Sequence, residues 1–317
     1  MAGRDDRGRH AERPGDIPKA GWKDIFLRVK DEMAADNLSM VAAGVAFYVL
    51  LAIFPAIAAL VSIYGLFADP ATVQQHVDAL GQFVPQEALA IIDEQMRRVA
   101  GGARGALGIG VAVGILAALW SAAKGMKALI EALNIVYDEQ ETRGFIKLNA
   151  IALLLTVGLI LFLIVTLGAV VVLPALFGTL GLGNLMQDLI ALLRWPVLGL
   201  ALILVLAILY RFAPDRDTPR WQWVSWGAVA ATVLWIIGSI LFSWYVQNFG
   251  SYNKTYGSVG AVVILMMWFW ISAYIILLGA EVNAEMEHQT ERDTTGGRQE
   301  PMGRRGAYVA DTVGESR

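Results

Sequence analysis

The chain has 317 residues, 56% of them hydrophobic and only 17% charged, with a mean hydropathy of +0.55. That balance excludes an ordinary soluble globule and indicates a polytopic membrane protein. A net charge of -3 argues against a nucleic-acid partner, and the absence of cysteine excludes disulfides, thiolate metal sites and cysteine nucleophiles.

Residues 1–21 mix Arg, Asp, Gly and Pro with almost nothing apolar; they lack the apolar core of a signal peptide and are expected to be a disordered tail. In 22–36, Trp22, Phe26, Val29 and Met33 recur at helical spacing, while Lys23, Asp24, Arg28, Lys30 and Asp31 occupy other faces. This predicts an amphipathic helix, either lying in the membrane interface or packed on the protein's own loops. Apolar runs then predict an all-α domain over 37–286, with six transmembrane helices at 39–67, 105–125, 146–176, 189–210, 222–247 and 258–280. No charged residue falls between Leu148 and Gln187. At about 68–104, two amphipathic patterns on either side of Pro85 predict a helical hairpin against one membrane face. Residues 287–317 are expected to be a second disordered tail.

Loop charge sets the expected orientation. Taking alternate segments, 20 of the 25 Lys and Arg residues fall on the side of the two tails, and five on the other: Arg97, Arg98, Arg104, Arg194 and Lys254. Both termini are therefore expected in the cytoplasm, with the hairpin and the loop FGSYNKTYGS facing outward.

The segments AAGVAFYVLLAIFPAIA, LWSAAKGMKALIEALNIVYDE, APDRDTPRWQWVSWGAVAA and FGSYNKTYGSVGAVVILMMWFWISAYIILLGAEVNAE closely resemble the YihY/BrkB family of bacterial inner-membrane proteins, over roughly residues 30–290. The resemblance implies six helices, cytoplasmic ends and a location in the bacterial inner membrane. It also brings a historical virulence-factor label and an older ribonuclease label regarded as mistaken. It implies no established substrate.

Charges near membrane depth are costly and so are the first functional candidates. Arg194, next to Trp195 and Pro196, either snorkels to the headgroups or faces inward to bind a carboxylate or lipid phosphate. At the opposite ends of the spans, Lys124, Lys127 and Glu131 lie on one helix and Glu281, Asn283 and Glu285 on another. Lys127 and Glu131 have the i,i+4 spacing of an intrahelical pair, and a Lys124–Glu281 bridge is expected across helices, either as a static clamp or as a gate. Any proton coupling would use Glu281 or Glu285. Pro55 predicts a kink in the first span, and Ala42, Ala43, Gly44, Ala46, Gly110 and Gly114 favour close helix packing. Ser225, Thr232, Ser239 and Ser243 fall on one side of the fifth span, to line a hydrated path or to satisfy neighbouring helices. In the last outward loop, Gly250 and Gly257 permit the chain reversal, while Tyr252, Asn253, Lys254 and Tyr256 suit an outer gate or headgroup contact.

Soluble catalysis has no matching motif. His10, His76 and His288 are scattered without metal-ligand spacing, and no nucleophile elbow or phosphate loop occurs. The expectation is a transporter or exporter of an anionic or amphipathic small molecule or lipid, and not an enzyme. Membrane lipids are the expected partners, with no cofactor, metal or nucleic acid. A non-transporting protein that supports envelope integrity is the alternative, and a membrane-embedded hydrolase the third.

Overall fold

The structure, a computed structural model, describes residues 7–67, 107–179, 184–249 and 258–317. Among these the regular elements are helices: α1 (Lys19–Ala35), α2 (Leu38–Phe67), α3 (Leu107–Val136), α4 (Phe145–Thr179), α5 (Asn184–Phe212), α6 (Trp221–Phe249), α7 (Ser258–Glu287) and the short α8 (Tyr308–Asp311). A 3-10 turn covers Pro14–Asp16, and Pro219 and Thr295 form an isolated antiparallel bridge. In lipid a helix satisfies every backbone group internally, which is why the apolar runs take this form.

Among the described residues, four helical segments are long and apolar enough to cross a membrane: Val113–Val136, Phe145–Thr166, Trp221–Val246 and Val262–Glu287. A fifth arises if α1 and the start of α2, bent by 62° at their junction, count as one span. Asn37 makes that bend, with φ of 52°, a left-handed conformation that asparagine adopts at lower cost than most residues. Pro196–Phe212 is a shorter apolar helix. Pro55 lies inside α2, which is helical on both sides of it. The hairpin expected at about 68–104 lies outside the described residues.

The chain divides into two compact units, one of residues 1–47, 128–147 and 195–317, the other of 48–127 and 148–194. In the first, α6 and α7 cross with their backbones close. A Cβ added to Gly227 would lie 2.0 Å from the Gly279 carbonyl oxygen, and one added to Gly279 would lie 2.7 Å from the Gly227 carbonyl oxygen. Glycine at both positions lets dispersion contacts replace the hydrophobic effect, which does not operate between helices in lipid. Aromatic side chains extend the seam: the Trp235 ring lies 5.4 Å from Trp268, and the Trp235 indole N–H donates to Ser272 Oγ at 3.0 Å. In the second unit, a Cβ on Gly125 of α3 would lie 2.9 Å from Ala52 Cβ of α2. Ala42 and Ala46 are fully buried, as small packing residues should be, whereas no described atom lies within 4 Å of a Cβ on Gly44.

Composition suggested disordered ends, and the structure differs. Residues 7–17 and 288–317 lie together with α1 over the end of α7. Ala11, Pro14 and Ile17 are all buried, and Ala11 and Ile17 join Ile25, Val29, Trp223 and Met286 in a small core. Their spacing of three matches the 3-10 turn, which puts all three on one side. The C-terminal segment is held chiefly by side chains bonded to backbone. Arg305 donates to the carbonyls of Ala310, Glu300 and Glu291 at 2.6, 3.1 and 2.9 Å. Asp293 accepts from the Thr295 and Glu300 amides at 2.9 and 2.8 Å. Such bonds need no apolar pattern, so the sequence gives no sign of them.

Candidate functional site

The last two turns of α7 carry four polar residues that are all buried: Glu281, Asn283, Glu285 and Glu287. An α-helix spreads consecutive odd positions around its axis, so these residues face different neighbours. Asn283 faces α6, where its Oδ1 accepts from the Gly227 amide at 2.8 Å and its Nδ2 donates to the Val224 carbonyl at 3.3 Å. Absence of a side chain at Gly227 is what opens that amide to a partner.

Glu285 faces α1. Arg28 donates through Nε to Glu285 Oε2, and through Nη2 to the Glu285 carbonyl at 3.1 Å and to Gln289 Oε1 at 2.7 Å. His288 Nδ1 lies 3.6 Å from Glu285 Oε1, and His288 Nε2 lies 2.8 Å from Thr312 Oγ1. Four residues before Arg28, Asp24 is buried on the same face and receives Arg7 Nη1 at 2.7 and 2.9 Å. The amphipathic pattern put Asp24 and Arg28 on polar faces and Phe26 on the apolar one. Instead Asp24 and Arg28 are buried, and Phe26 is 72% exposed. The two charges are buried because the chain ends supply their partners, as expected of a helix packed on the protein's own segments.

Glu287 faces the α5–α6 connection. Arg216 donates to both of its oxygens at 3.2 and 2.6 Å, Thr294 Oγ1 adds a third bond at 2.6 Å, and both charged side chains are wholly shielded from solvent. The Tyr137 ring stacks on Arg216, 4.9 Å from its guanidinium carbon. Burial by itself would lower the Arg216 pKa, but Glu287 raises it above the ordinary arginine value. Burial raises the Tyr137 phenol, with the Glu287 charge adding to the effect. Its hydroxyl is buried and has no hydrogen-bond partner among the described residues.

A second network ties the end of α3 to the same connection. Asn134 Nδ2 donates to Glu141 Oε2 at 3.1 Å, and its Oδ1 accepts from the Asp215 amide at 2.7 Å. Arg143 forms a two-bond pair with Glu141 at 2.8 and 2.6 Å, while Thr142 gives Asp215 its amide and its hydroxyl, both at 2.6 Å. Burial would raise both carboxyls, but the Arg143 bonds and charge at Glu141, and the Thr142 bonds with Arg143 at Asp215, leave both below the usual carboxylate range. Asp138, with φ of 55°, turns the chain out of α3 into this loop.

Glu281 stands apart. It is 1% exposed, and its Oε1 has no hydrogen-bond partner among the described residues. Lys124, the residue expected to pair with Glu281, is exposed on α3.

A model of the family described as Virulence factor BrkB matches residues 29–303, which take in every residue of α7 and the network of Asn134, Glu141, Arg143 and Asp215, while Asp24, Arg28 and Thr312 lie outside the match. The chain belongs to the BrkB family. It is 34% identical to the ribonuclease-like protein YfkH of Bacillus subtilis over 76% of this chain and 87% of the relative. It is 28% identical to a UPF0761 membrane protein of Alteromonas mediterranea, covering 83% and 88%. A UPF0761 membrane protein of Haemophilus influenzae is 22% identical, covering 85% and 97%. No solved structure matches. A multi-pass membrane protein is thus shown by the family together with the apolar helices.

Of the other sequence candidates in this BrkB-family chain, Lys127 is half-buried with its ammonium 5.6 Å from the centre of the Trp120 ring, and Glu131 is exposed. Ser225 and Ser239 donate to carbonyls one turn back in their own helix, Trp221 at 2.5 Å and Trp235 at 2.6 Å. Thr232 is buried, its hydroxyl without a partner among the described residues, and Ser243 is exposed. Arg194 falls in α5, but its side chain lies outside the described residues, as do Tyr252, Asn253, Lys254 and Tyr256. The sequence pointed to Glu281, Asn283 and Glu285 but missed Arg28, Tyr137, Arg216 and Glu287. The one usable signal was the polar run continuing past the apolar part of α7.

Proposed function

We propose that this is an inner-membrane protein of six spans, with both ends in the cytoplasm, that moves or exports an anionic or amphipathic small molecule or lipid. The six-span reading adds α2 and α5, of 30 and 29 residues, to the four apolar segments already named. The orientation rests on the excess of Lys and Arg on the side of the tails. The transport reading is carried by one observation: α7 holds a carboxyl group, Glu281, in a buried position where its Oε1 has no hydrogen-bond partner among the described residues. A helix bundle that only packs gains nothing from such a group, whereas ion and substrate paths are where membrane proteins keep them.

A specific observation also favours the structural alternative. On α6, Ser225 and Ser239 spend their hydroxyls on their own helix, and α6 and α7 meet at glycines with no room for a path between them. Purified protein in liposomes separates the two. Transport predicts a changed distribution of a fluorescent phospholipid or of an organic anion relative to empty liposomes; a structural role predicts none.

We read the chain as no enzyme, although one relative's name is ribonuclease-like. His10 lies 4.0 Å from Glu291, and His288 is held between Glu285 and Thr312, so neither stands free beside a basic groove. RNA cleavage that persists through stringent purification and is lost in a point variant would overturn this.

A further inference from the structure

On α6, Gln222, Trp226, Val229, Val233, Ile237 and Ile240 follow one another at intervals of three or four, which keeps them in one stripe along the helix. All six are exposed, while Val224, Ala228 and Ala231 on the other side are buried. From Trp226 to Ile240 the stripe is apolar and about 21 Å long at 1.5 Å per residue. Half of a bilayer's apolar core is about 15 Å thick, so the stripe is long enough to carry one acyl chain through its leaflet. At its head a pocket of about 410 Å³ lies between the 3-10 turn and the first two turns of α6, lined by Arg13, Asp16, Gln222, Ser225 and Trp226 together with Pro14 and Gly15. Arg13 Nε donates to Asp16 Oδ1 at 3.1 Å, and both side chains are exposed, so among the described residues the Nη groups and Asp16 Oδ2 stay open to a ligand. Gln222 donates its amide to the Glu12 carbonyl at 2.8 Å, and Ser225 its hydroxyl to the Trp221 carbonyl at 2.5 Å, which leaves mainly acceptor oxygens in the pocket. The Trp226 ring lies 6.0 Å from Trp22.

We propose that this pocket and stripe form a binding site for a phospholipid with a zwitterionic phosphoethanolamine headgroup. The phosphate binds Arg13, the ammonium binds Asp16 with the acceptor oxygens of Gln222 and Ser225, and an acyl chain lies along the stripe from Trp226 to Ile240. Depth agrees with this: the pocket sits at the end of the apolar segment Trp221–Val246, and tryptophan at such an end belongs to the headgroup boundary. Charge selects the headgroup. Arg13 and Asp16 sum to zero, so a headgroup of net negative charge would set an anion against Asp16, whereas one carrying both signs meets both residues. A primary ammonium has three N–H donors and no acceptor, which matches the oxygens left open here, and a quaternary ammonium has no N–H to give. The Arg13–Asp16 pair is exposed and holds its two members together only weakly, so it yields readily to a ligand that offers each a partner. The site rests on the chain's place in the membrane and not on transport, since a lipid can be held here as a fixed partner or as cargo.

Native mass spectrometry of the full-length protein gives the test, with phosphatidylethanolamine, phosphatidylcholine and phosphatidylglycerol of identical acyl chains offered in turn. The protein should retain phosphatidylethanolamine several-fold better than either of the others. Arg13→Gln should lower that retention several-fold. Asp16→Asn, which leaves a lone cation, should turn the preference toward phosphatidylglycerol, a reversal that a merely structural residue would not produce. Both variants should keep the wild-type melting temperature, because the pair is exposed, so a loss of lipid is not a loss of fold. Val233→Asn, which breaks the stripe away from the headgroup, should weaken all three lipids alike. The site is overturned if the unaltered protein retains the three lipids equally or prefers phosphatidylglycerol, or if either charge variant leaves the preference as it was. Selective retention by a protein that moves no fluorescent phospholipid in liposomes would leave the site standing and remove lipid as the cargo; movement without selective retention would do the reverse.

Discussion

The Arg216–Glu287 pair decides how much a single residue can matter here. Both side chains are shielded from solvent, so removing one partner strands a buried charge, a loss of about 3–5 kcal/mol. Arg216→Gln is expected to lower the melting temperature sharply, read by tryptophan fluorescence in detergent. Replacing both residues with apolar ones of similar volume should restore part of the loss, because the cost lies in the uncompensated charge more than in the absent bond. The exposed Arg13–Asp16 pair is the control, and its loss should be nearly silent. A pH dependence follows from Glu141, Asp215 and Asp293, whose hydrogen bonds hold each below the usual carboxylate range despite burial. A carboxyl depressed in the folded state stabilises it fully above its unfolded pKa, about 4, and that stabilisation is lost as pH falls through the folded value. The melting temperature should therefore drop on acidification below about pH 4. Asp215→Asn should flatten that slope while lowering the plateau at neutral pH. At this scale the sequence was legible only where chemistry interrupts an apolar run. Glu281, Asn283 and Glu285 stood out in that way, but their partners did not. Arg28 is 257 residues from Glu285, and no local pattern links them.

At the scale of the element, the helices could be read because lipid allows so few alternatives. The predicted limits of 146–176, 222–247 and 258–280 fall inside α4, α6 and α7, which run to Thr179, Phe249 and Glu287. For α7 the longer end has a physical origin: the helix continues past its apolar stretch where polar partners support it, as those of Asn283 and Glu285 do. What periodicity could not give is which glycine is a contact. Gly227 and Gly158 look alike in sequence, yet a Cβ on Gly227 would lie 2.0 Å from the Gly279 carbonyl oxygen and 2.5 Å from Asn283 Oδ1, whereas no described atom lies within 4 Å of one on Gly158. Gly227→Ala should force α6 from α7 and break the Asn283 bridge, destabilising by about 1–3 kcal/mol. Gly158→Ala should be neutral or slightly stabilising, since alanine is the better helix former. Thermal unfolding of the two variants side by side checks this. Equal behaviour would mean that the glycine crossing does not hold the two helices.

The largest departure from the sequence reading belongs to the molecule as a whole: the ends, expected to be loose, are joined. Thr290 Oγ1 donates to the Ala11 carbonyl at 2.8 Å, the Glu291 amide to the Arg9 carbonyl at 2.8 Å, and the Gly314 amide to the His288 carbonyl at 2.8 Å. Arg9 Nη2 and Arg28 Nη1 donate to the carbonyls of Gly314 and Glu315 at 2.5 and 3.0 Å. Residues 312–317 thus lie across Arg28, the same guanidinium that neutralises Glu285, so the fit of the chain end and the charge balance of α7 depend on one side chain. Gly314 is where that fit is tightest. A Cβ there would lie 2.6 Å from Arg28 Nε, and the nearest contacts are all atoms of the Arg28 side chain, which is itself pinned by Glu285 and Gln289. Gly314→Val should therefore lift the segment off Arg28 rather than displace the arginine. Hydrogen exchange should rise at the Gly314 and Glu291 amides, and trypsin should cut more readily at Arg7 and Arg9, while exchange in α6 stays slow. If exchange at Gly314 and Glu291 is unchanged, the ends are not held through this contact. If α6 loosens as well, the ends support the bundle and do not merely rest on it.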